Sequence, residues 1–173
     1  MRVLLHICCG VCAAGVVERL RKDGHSVAGY FFNPNIYPEV EYVRRLETVR
    51  SVAKKVGFDL VEGVYDHEKW RFMIAGFEAF PEGGSRCREC YKMRLRSAYI
   101  HFLRSGDFDL FTSTLTVSPH KDSKIVNEIG KDIGGESFFA ADFKKKEGFK
   151  RTIELAKEWG LYRQSYCGCE FSV

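Results

Sequence analysis

The sequence predicts an α/β fold, a parallel sheet with helices on both faces. Three observations predict it. Short apolar runs alternate with longer amphipathic segments along the chain. Glu39–Val56 carries Val43, Leu46, Val49, Val52, Ala53 and Val56 at helical spacing. Breaks at Gly24, Gly57, Pro81–Ser85 and Gly134-Gly135 separate the segments. Strands joined through intervening helices run parallel.

The elements follow in order. Arg2–Ile7 (RVLLHI) reads as a buried strand and Cys9–Lys22 as a helix with Val16, Val17 and Leu20 on one face. Ser26–Phe32 is a second strand, followed by the loop Asn33–Pro38 (NPNIYP), which is either a substrate loop or a rigid turn. The helix Glu39–Val56 closes at Gly57, and Phe58–Val61 is a short strand. Asp66 is placed to cap a helix over Glu68–Phe77. After the break come a helix over Cys90–Leu103, a strand over Phe108–Leu115 and a helix over Asp122–Ile133. Ser137–Ala140 is a candidate fifth strand and Arg151–Trp159 a last helix before a cysteine-bearing tail.

The 173 residues are expected to form one domain spanning 1–173. A chain of this size removes roughly 70% of its extended surface from water, so it needs neither disulfide nor metal merely to fold. The net charge of +4 permits nucleic-acid contact without demanding it. The amino terminus lacks a signal-peptide pattern, and no apolar stretch is long enough to span a bilayer. A cytoplasmic protein with no membrane partner is expected, and structural disulfides are rare there. Seven cysteines also cannot all pair.

Those seven fall in three groups: Cys8, Cys9 and Cys12; Cys87 and Cys90; Cys167 and Cys169. In open parallel sheets, sites form beyond the carboxyl ends of strands, where the first group lies. Cys9 and Cys12 share a face at a helix start, where free N–H groups favour thiolate. Cys87 and Cys90 form a C-x-x-C at another break-to-helix junction, and Cys167-Gly168-Cys169 is a C-x-C. Two C-x-x-C elements supply four thiolates, enough for one 4Fe-4S cluster or one zinc. Three cysteines remain, and a second metal is the simplest way to neutralise them.

Other residues offer chemistry too. Asp142 follows the last candidate strand and is a hard ligand, a proton donor or a plain loop acid. His6 is expected in the core, and His120 lies in a polar loop on the active edge. Arg88, Lys92 and Arg96 share a helical face; Lys144, Lys145, Lys146, Lys150 and Arg151 form a second basic group. With Tyr91, Tyr162, Arg163 and Tyr166 they are suited to phosphates and bases, or are simply solvated.

Three segments, Leu4–Cys12 (LLHICCGVC), Cys87–Leu95 (CRECYKMRL) and Tyr162–Cys169 (YRQSYCGC), resemble one family in order and spacing. Asn33–Pro38 and Ala141–Phe149 (ADFKKKEGF) match it as well, so the likeness runs along nearly the whole chain. The family is the QueH-type epoxyqueuosine reductases, which act in the last step of making queuosine in tRNA. Val11 departs from the proline common in the motif, a change to the turn rather than to the ligands.

The resemblance implies a Rossmann-like fold of the adenine nucleotide alpha hydrolase (HUP) type. It also implies a 4Fe-4S cluster and an adjacent mononuclear iron, held by cysteines and an aspartate. On that basis the helix-start spacing assigns Cys9, Cys12, Cys87 and Cys90 to the cluster. The remainder, Cys8, Cys167, Cys169 and Asp142, is assigned to the iron. Asp142, His120 or Tyr166 is expected to deliver a proton. Arg88, Lys92, Arg96, Lys144, Lys145, Lys146 and Arg163 are expected to meet a tRNA carrying epoxyqueuosine. No flavin or nicotinamide fingerprint is present, so electrons are expected from an external donor. Two alternatives are an iron–sulfur tRNA-thiolating enzyme, which would hydrolyse ATP, and a zinc-stabilised nucleic-acid-binding module, which would be colourless.

Overall fold

Four parallel strands in the order β3-β2-β1-β4 form the sheet of the computed structural model, which describes residues 1–172. They are β1 (Arg2–Ile7), β2 (Ser26–Phe31), β3 (Leu60–Glu62) and β4 (Leu110–Ser113). β1 is central, and its residues 3–7 are buried, which is why it reads as a continuous apolar run. It pairs Val3 with Val27 on one side and with Leu110 on the other.

Helices α1 (Gly10–Lys22), α2 (Glu39–Val56) and α6 (Gly148–Glu158) form one layer, with α1 touching both others. α4 (Ser85–Ser105) and α5 (Ser123–Gly134) pack together in a second layer. The short α3 is His67–Met73. One apolar core, with Val17, Leu20, Val49 and Leu155, lies under the first layer. A second, with Leu4, Leu95, Phe111 and Val126, lies under the other.

Several boundaries differ from expectation for local reasons. Gly57 (φ +76°) and Phe58 both send their amides to the Ala53 carbonyl, so they finish α2 and β3 starts only at Leu60. Gly84 caps α4, which begins at Ser85; Cys87 and Cys90 therefore sit inside its first turns. β4 stops at Ser113 because the Ser113 hydroxyl accepts from the Leu115 amide and opens a 3-10 turn over Thr114–Val117. The expected fifth strand is reduced to a single parallel bridge, Phe111 to Phe138, since Ser137 belongs to the 3-10 turn Gly135–Ser137. Asp66 and Asp122 cap α3 and α5 through their carboxylates. Among the described residues, no helix is long and apolar enough to cross a membrane.

The sheet has a switch point at β1. Its own crossover leads through α1 to β2, while β4 lies on its other flank. The crevice beyond the carboxyl end of β1 is where such sheets bind ligands, and Cys8 is the first residue there.

Candidate metal centre

Three thiols gather at the junction of β1 and α1. Cys9 is the N-cap of α1, with extended backbone, and its sulfur accepts from the Cys12 amide at 3.4 Å. The sulfurs of Cys8, Cys9 and Cys12 all lie within 4.8 Å of one another. The turn needs Gly10, because a Cβ there would stand 2.6 Å from Thr48 Cγ2 and 2.9 Å from the Thr48 carbonyl carbon, on α2. Hydrogen bonds from Cys12 and Cys9 hold the Cys8 thiol well below its usual range despite burial, with help from Lys121 and Arg94. For Cys9, Cys12 pulls down, but Cys8 and burial prevail and push it up to about 12. Cys12, the donor to both sulfurs, is pushed well up. Among the three, Cys8 is the thiol whose environment most favours the thiolate form that binds a cation.

Four further thiols form a second group. Cys87 and Cys90 come from α4, and Cys167 and Cys169 from the tail. All four line one cavity with Asn35, Trp70, Arg86 and Arg94. Arg45, buried on α2, anchors the tail by donating to the carbonyls of Cys167 at 2.9 Å and Tyr166 at 3.1 Å. The Tyr37 amide donates to the Gly168 carbonyl at 2.8 Å. The Cys169 hydrogen bond holds Cys167 down at about 5 against burial, and Cys169 rises in return.

The two groups differ in spread. Two thiolates on one ion, each at about 2.3 Å, lie no more than about 4.6 Å apart. The trio comes close to that scale, and among the described residues no other three thiols, imidazoles or carboxylates lie within 4.8 Å of one another. The quartet is wider.

A cleft of about 540 Å³ opens above the trio, a size typical of small-molecule sites. Cys167, Arg94, Lys121 and Glu82 line both it and the quartet cavity, so the two are adjacent.

Spacing alone grouped Cys9 and Cys12 with Cys87 and Cys90. The structure sets Cys9 and Cys12 beside Cys8 at the start of α1, while Cys87 and Cys90, on α4 in the other layer, share a cavity with Cys167 and Cys169 of the tail. His120, Arg163 and Tyr166 line the cleft, and the Tyr166 hydroxyl donates to the Tyr37 carbonyl at 2.7 Å. Asp142 lines neither cavity. Burial works to raise its pKa, but hydrogen bonds from Ser123 and Lys144, with the Lys144 charge, hold the carboxyl below its usual range. Lys144 also donates through Nζ to the carbonyls of Thr116 and Lys121, each at 3.2 Å. Lys145 and Lys146 are exposed. Arg88 pairs with Glu128 and Lys92 with Glu89, and neither these nor Arg96 line the cleft. His6 is a core residue, bonded to Ser113 and the Phe32 carbonyl, and burial lowers its pKa to about 3.

Arg45 and Arg94 escaped the sequence reading. Both fall on the apolar stripe of their helix, Arg45 beside Leu46 and Val49, and Arg94 beside Leu95 and Ala98. A cation on a buried stripe was the available signal.

Fold and site together define the class: a parallel α/β protein of Rossmann-like type whose thiols converge at the switch point in a metal-binding arrangement. A family model described as epoxyqueuosine reductase QueH matches residues 3–173. The chain belongs to that family. The epoxyqueuosine reductase QueH of Staphylococcus epidermidis is 36% identical over 99% of this chain and 76% of its own length. The corresponding protein of Streptococcus pyogenes is 36% identical over 99% of this chain and 70% of its own. That of Thermotoga maritima is 33% identical over 99% and 90%. Among solved structures, a predicted subunit of a tRNA methyltransferase from Methanocaldococcus jannaschii shares the fold, with a TM-score of 0.56 at 15% identity. That likeness covers 91% of this chain and 75% of the other.

Proposed function

We propose that this protein removes the epoxide oxygen of epoxyqueuosine in tRNA, leaving the alkene of queuosine. The observation that carries the reading is the adjacency of a thiol trio and a thiol quartet at a nucleoside-sized cleft, in a chain of this family. The reaction consumes two electrons and two protons and releases water. The chain brings no flavin or nicotinamide fingerprint, so the electrons come from an external donor. The setting is the cytoplasm, where tRNA is modified.

The donor sets suit two different groups. Cys8, Cys9 and Cys12 are close enough to share one ion. Cys87, Cys90, Cys167 and Cys169 supply four thiolates at wider spread, which suits a 4Fe-4S cluster. Such a pair supplies single-electron storage and a Lewis acid for the epoxide oxygen. On family resemblance Asp142 would be a further ligand of the single iron; its carboxylate lies 3.4 Å from Lys144 Nζ.

The chain's own residues do the rest. The cleft seats the modified nucleoside. His120 lines the cleft as a proton donor to the departing oxygen, whereas the Tyr166 hydroxyl donates to the Tyr37 carbonyl. Arg163 and Lys121 meet phosphate at the rim, with the exposed Lys145 and Lys146 as further contacts. The test is anaerobic reconstitution followed by turnover of tRNA carrying epoxyqueuosine. Queuosine in the digested tRNA is the expected result; its absence under reducing conditions sinks the assignment.

A further inference from the structure

Lys144, Lys145 and Lys146 read alike as a run of charge, but the fold sets the first apart. Lys145 and Lys146 are exposed, whereas the Lys144 side chain is only 26% exposed. Its ammonium turns inward. It donates to the carbonyls of Thr116 and Lys121, each at 3.2 Å, and lies 3.4 Å from Asp142 Oδ1. A lysine ammonium has three N–H donors. Three acceptors surround this one, so no donor is left for an RNA phosphate.

The two carbonyls mark the ends of one loop. Thr116 belongs to the 3-10 turn after β4, and Lys121 directly precedes Asp122, the cap of α5. Ser118, Pro119, His120 and Lys121 line the cleft. The loop's own bonds run from the Lys121 amide to the Ser118 carbonyl at 3.2 Å and from the His120 amide to the Ser118 hydroxyl at 3.3 Å. The segment that carries Lys144 is fixed on both sides. Phe143 is buried in the core, and its amide donates to Thr116 Oγ1 at 3.4 Å. Lys146 and Glu147 take positive φ, +54° and +58°, a conformation that residues other than glycine keep where their surroundings impose it.

We infer that Lys144 is a positioning residue whose ammonium clamps residues 116–121 and so sets where His120 and Lys121 stand in the cleft. Its kinetic consequence rests on the reaction proposed above. The clamp itself needs no metal, and the two carbonyl bonds hold whatever Asp142 binds. Hydrogen bonds from an ionised donor are about twice as strong as neutral ones, so one side chain suffices to hold the loop. A reacting group misplaced by about 1 Å costs on the order of a hundredfold in rate, which is why the place of His120 matters.

The experiment compares anaerobically reconstituted wild type, Lys144→Met and Lys144→Gln in three measurements. In hydrogen exchange without tRNA, the His120 and Lys121 amides of Lys144→Met are expected to exchange about tenfold faster, while those of β1 are unchanged. Lys144→Gln, which keeps N–H donors without the charge, falls between. In turnover of tRNA carrying epoxyqueuosine, kcat of Lys144→Met is expected to fall about tenfold, more than KM rises. In tRNA binding, the slope of log affinity against log salt is expected to stay at the wild-type value, whereas loss of a phosphate contact reduces it by about one. Wild-type exchange at His120 and Lys121 overturns the clamp. A reduced salt slope with unchanged kcat overturns it too and makes Lys144 an RNA contact. If Lys144→Met does not fold, Lys144→Gln carries all three measurements. A wild type that leaves epoxyqueuosine intact overturns the proposed reaction, and the exchange measurement still decides the clamp.

Discussion

The Thr114 hydroxyl grips Cys8 twice: it accepts from the Cys8 amide at 2.9 Å and donates to the Cys8 sulfur at 3.1 Å. Thr114 is fully buried and directly follows β4, as Cys8 follows β1, so this pair joins the two strand ends at the switch point. The hydroxyl thereby fixes the position of the Cys8 sulfur within the trio.

Thr114→Val keeps the shape and removes both bonds. Outer partners of metal ligands are typically worth 10–100-fold in affinity. Cobalt(II) titration of the apoprotein is expected to show a loss of about that size. Thr114→Ser restores most of it. Equal affinities in all three proteins contradict the role.

Gly168 separates the two tail cysteines with φ +108°, and a Cβ there would lie 2.9 Å from Ile36 Cγ1 and 3.0 Å from Arg45 Nη1. Gly168→Ala therefore strains the backbone and presses on the residue that anchors the tail. A loss of about 1–2 kcal/mol is expected in urea unfolding. Faster modification of Cys167 and Cys169 by a thiol reagent is expected alongside it.

Glu18 on α1 accepts two bonds from Arg151 on α6, at 3.0 and 2.9 Å. The Arg151 hydrogen bond lowers its pKa from 4.5 to about 2, with Lys22 assisting and burial opposing. A carboxylate lowered in the folded state contributes stability that is fully present above 4.5. That contribution disappears as pH falls through about 2. Urea midpoints of wild type should thus decline over that window more steeply than those of Glu18→Gln. Parallel declines refute the linkage.

Asp142 tests the fourth ligand of the single iron. Its carboxylate is 3.4 Å from Lys144 Nζ. If it ligates, Asp142→Asn lowers the iron bound to the trio while leaving acid-labile sulfide untouched. Unchanged iron in both sites excludes it as a ligand.

Much of the fold was legible. The stripe in residues 39–56 marked α2 to the residue, because an amphipathic helix repeats its apolar face over many turns. The segment at residues 137–140 was not, because a few apolar residues fit an edge strand and a passing bridge equally well. Charge runs carried less information. Arg88 and Lys92 read as a nucleic-acid face or a solvated one, and in the structure they pair with Glu128, from another helix, and Glu89.

By itself the sequence determined the thiol chemistry, the helix starts that favour it and the edge of the sheet on which it lies. Spacing of two or three residues is a local matter, so Cys9 with Cys12, Cys87 with Cys90 and Cys167 with Cys169 could be read directly. Tertiary structure decided which groups meet. The crossovers send α1 and α4 to different layers, and Arg45 ties the tail so that its cysteines join those of α4. It also decided that Arg94, one cation on a buried stripe, would line both cavities. No spacing rule contains that, because it depends on where two helices and a tail come to rest.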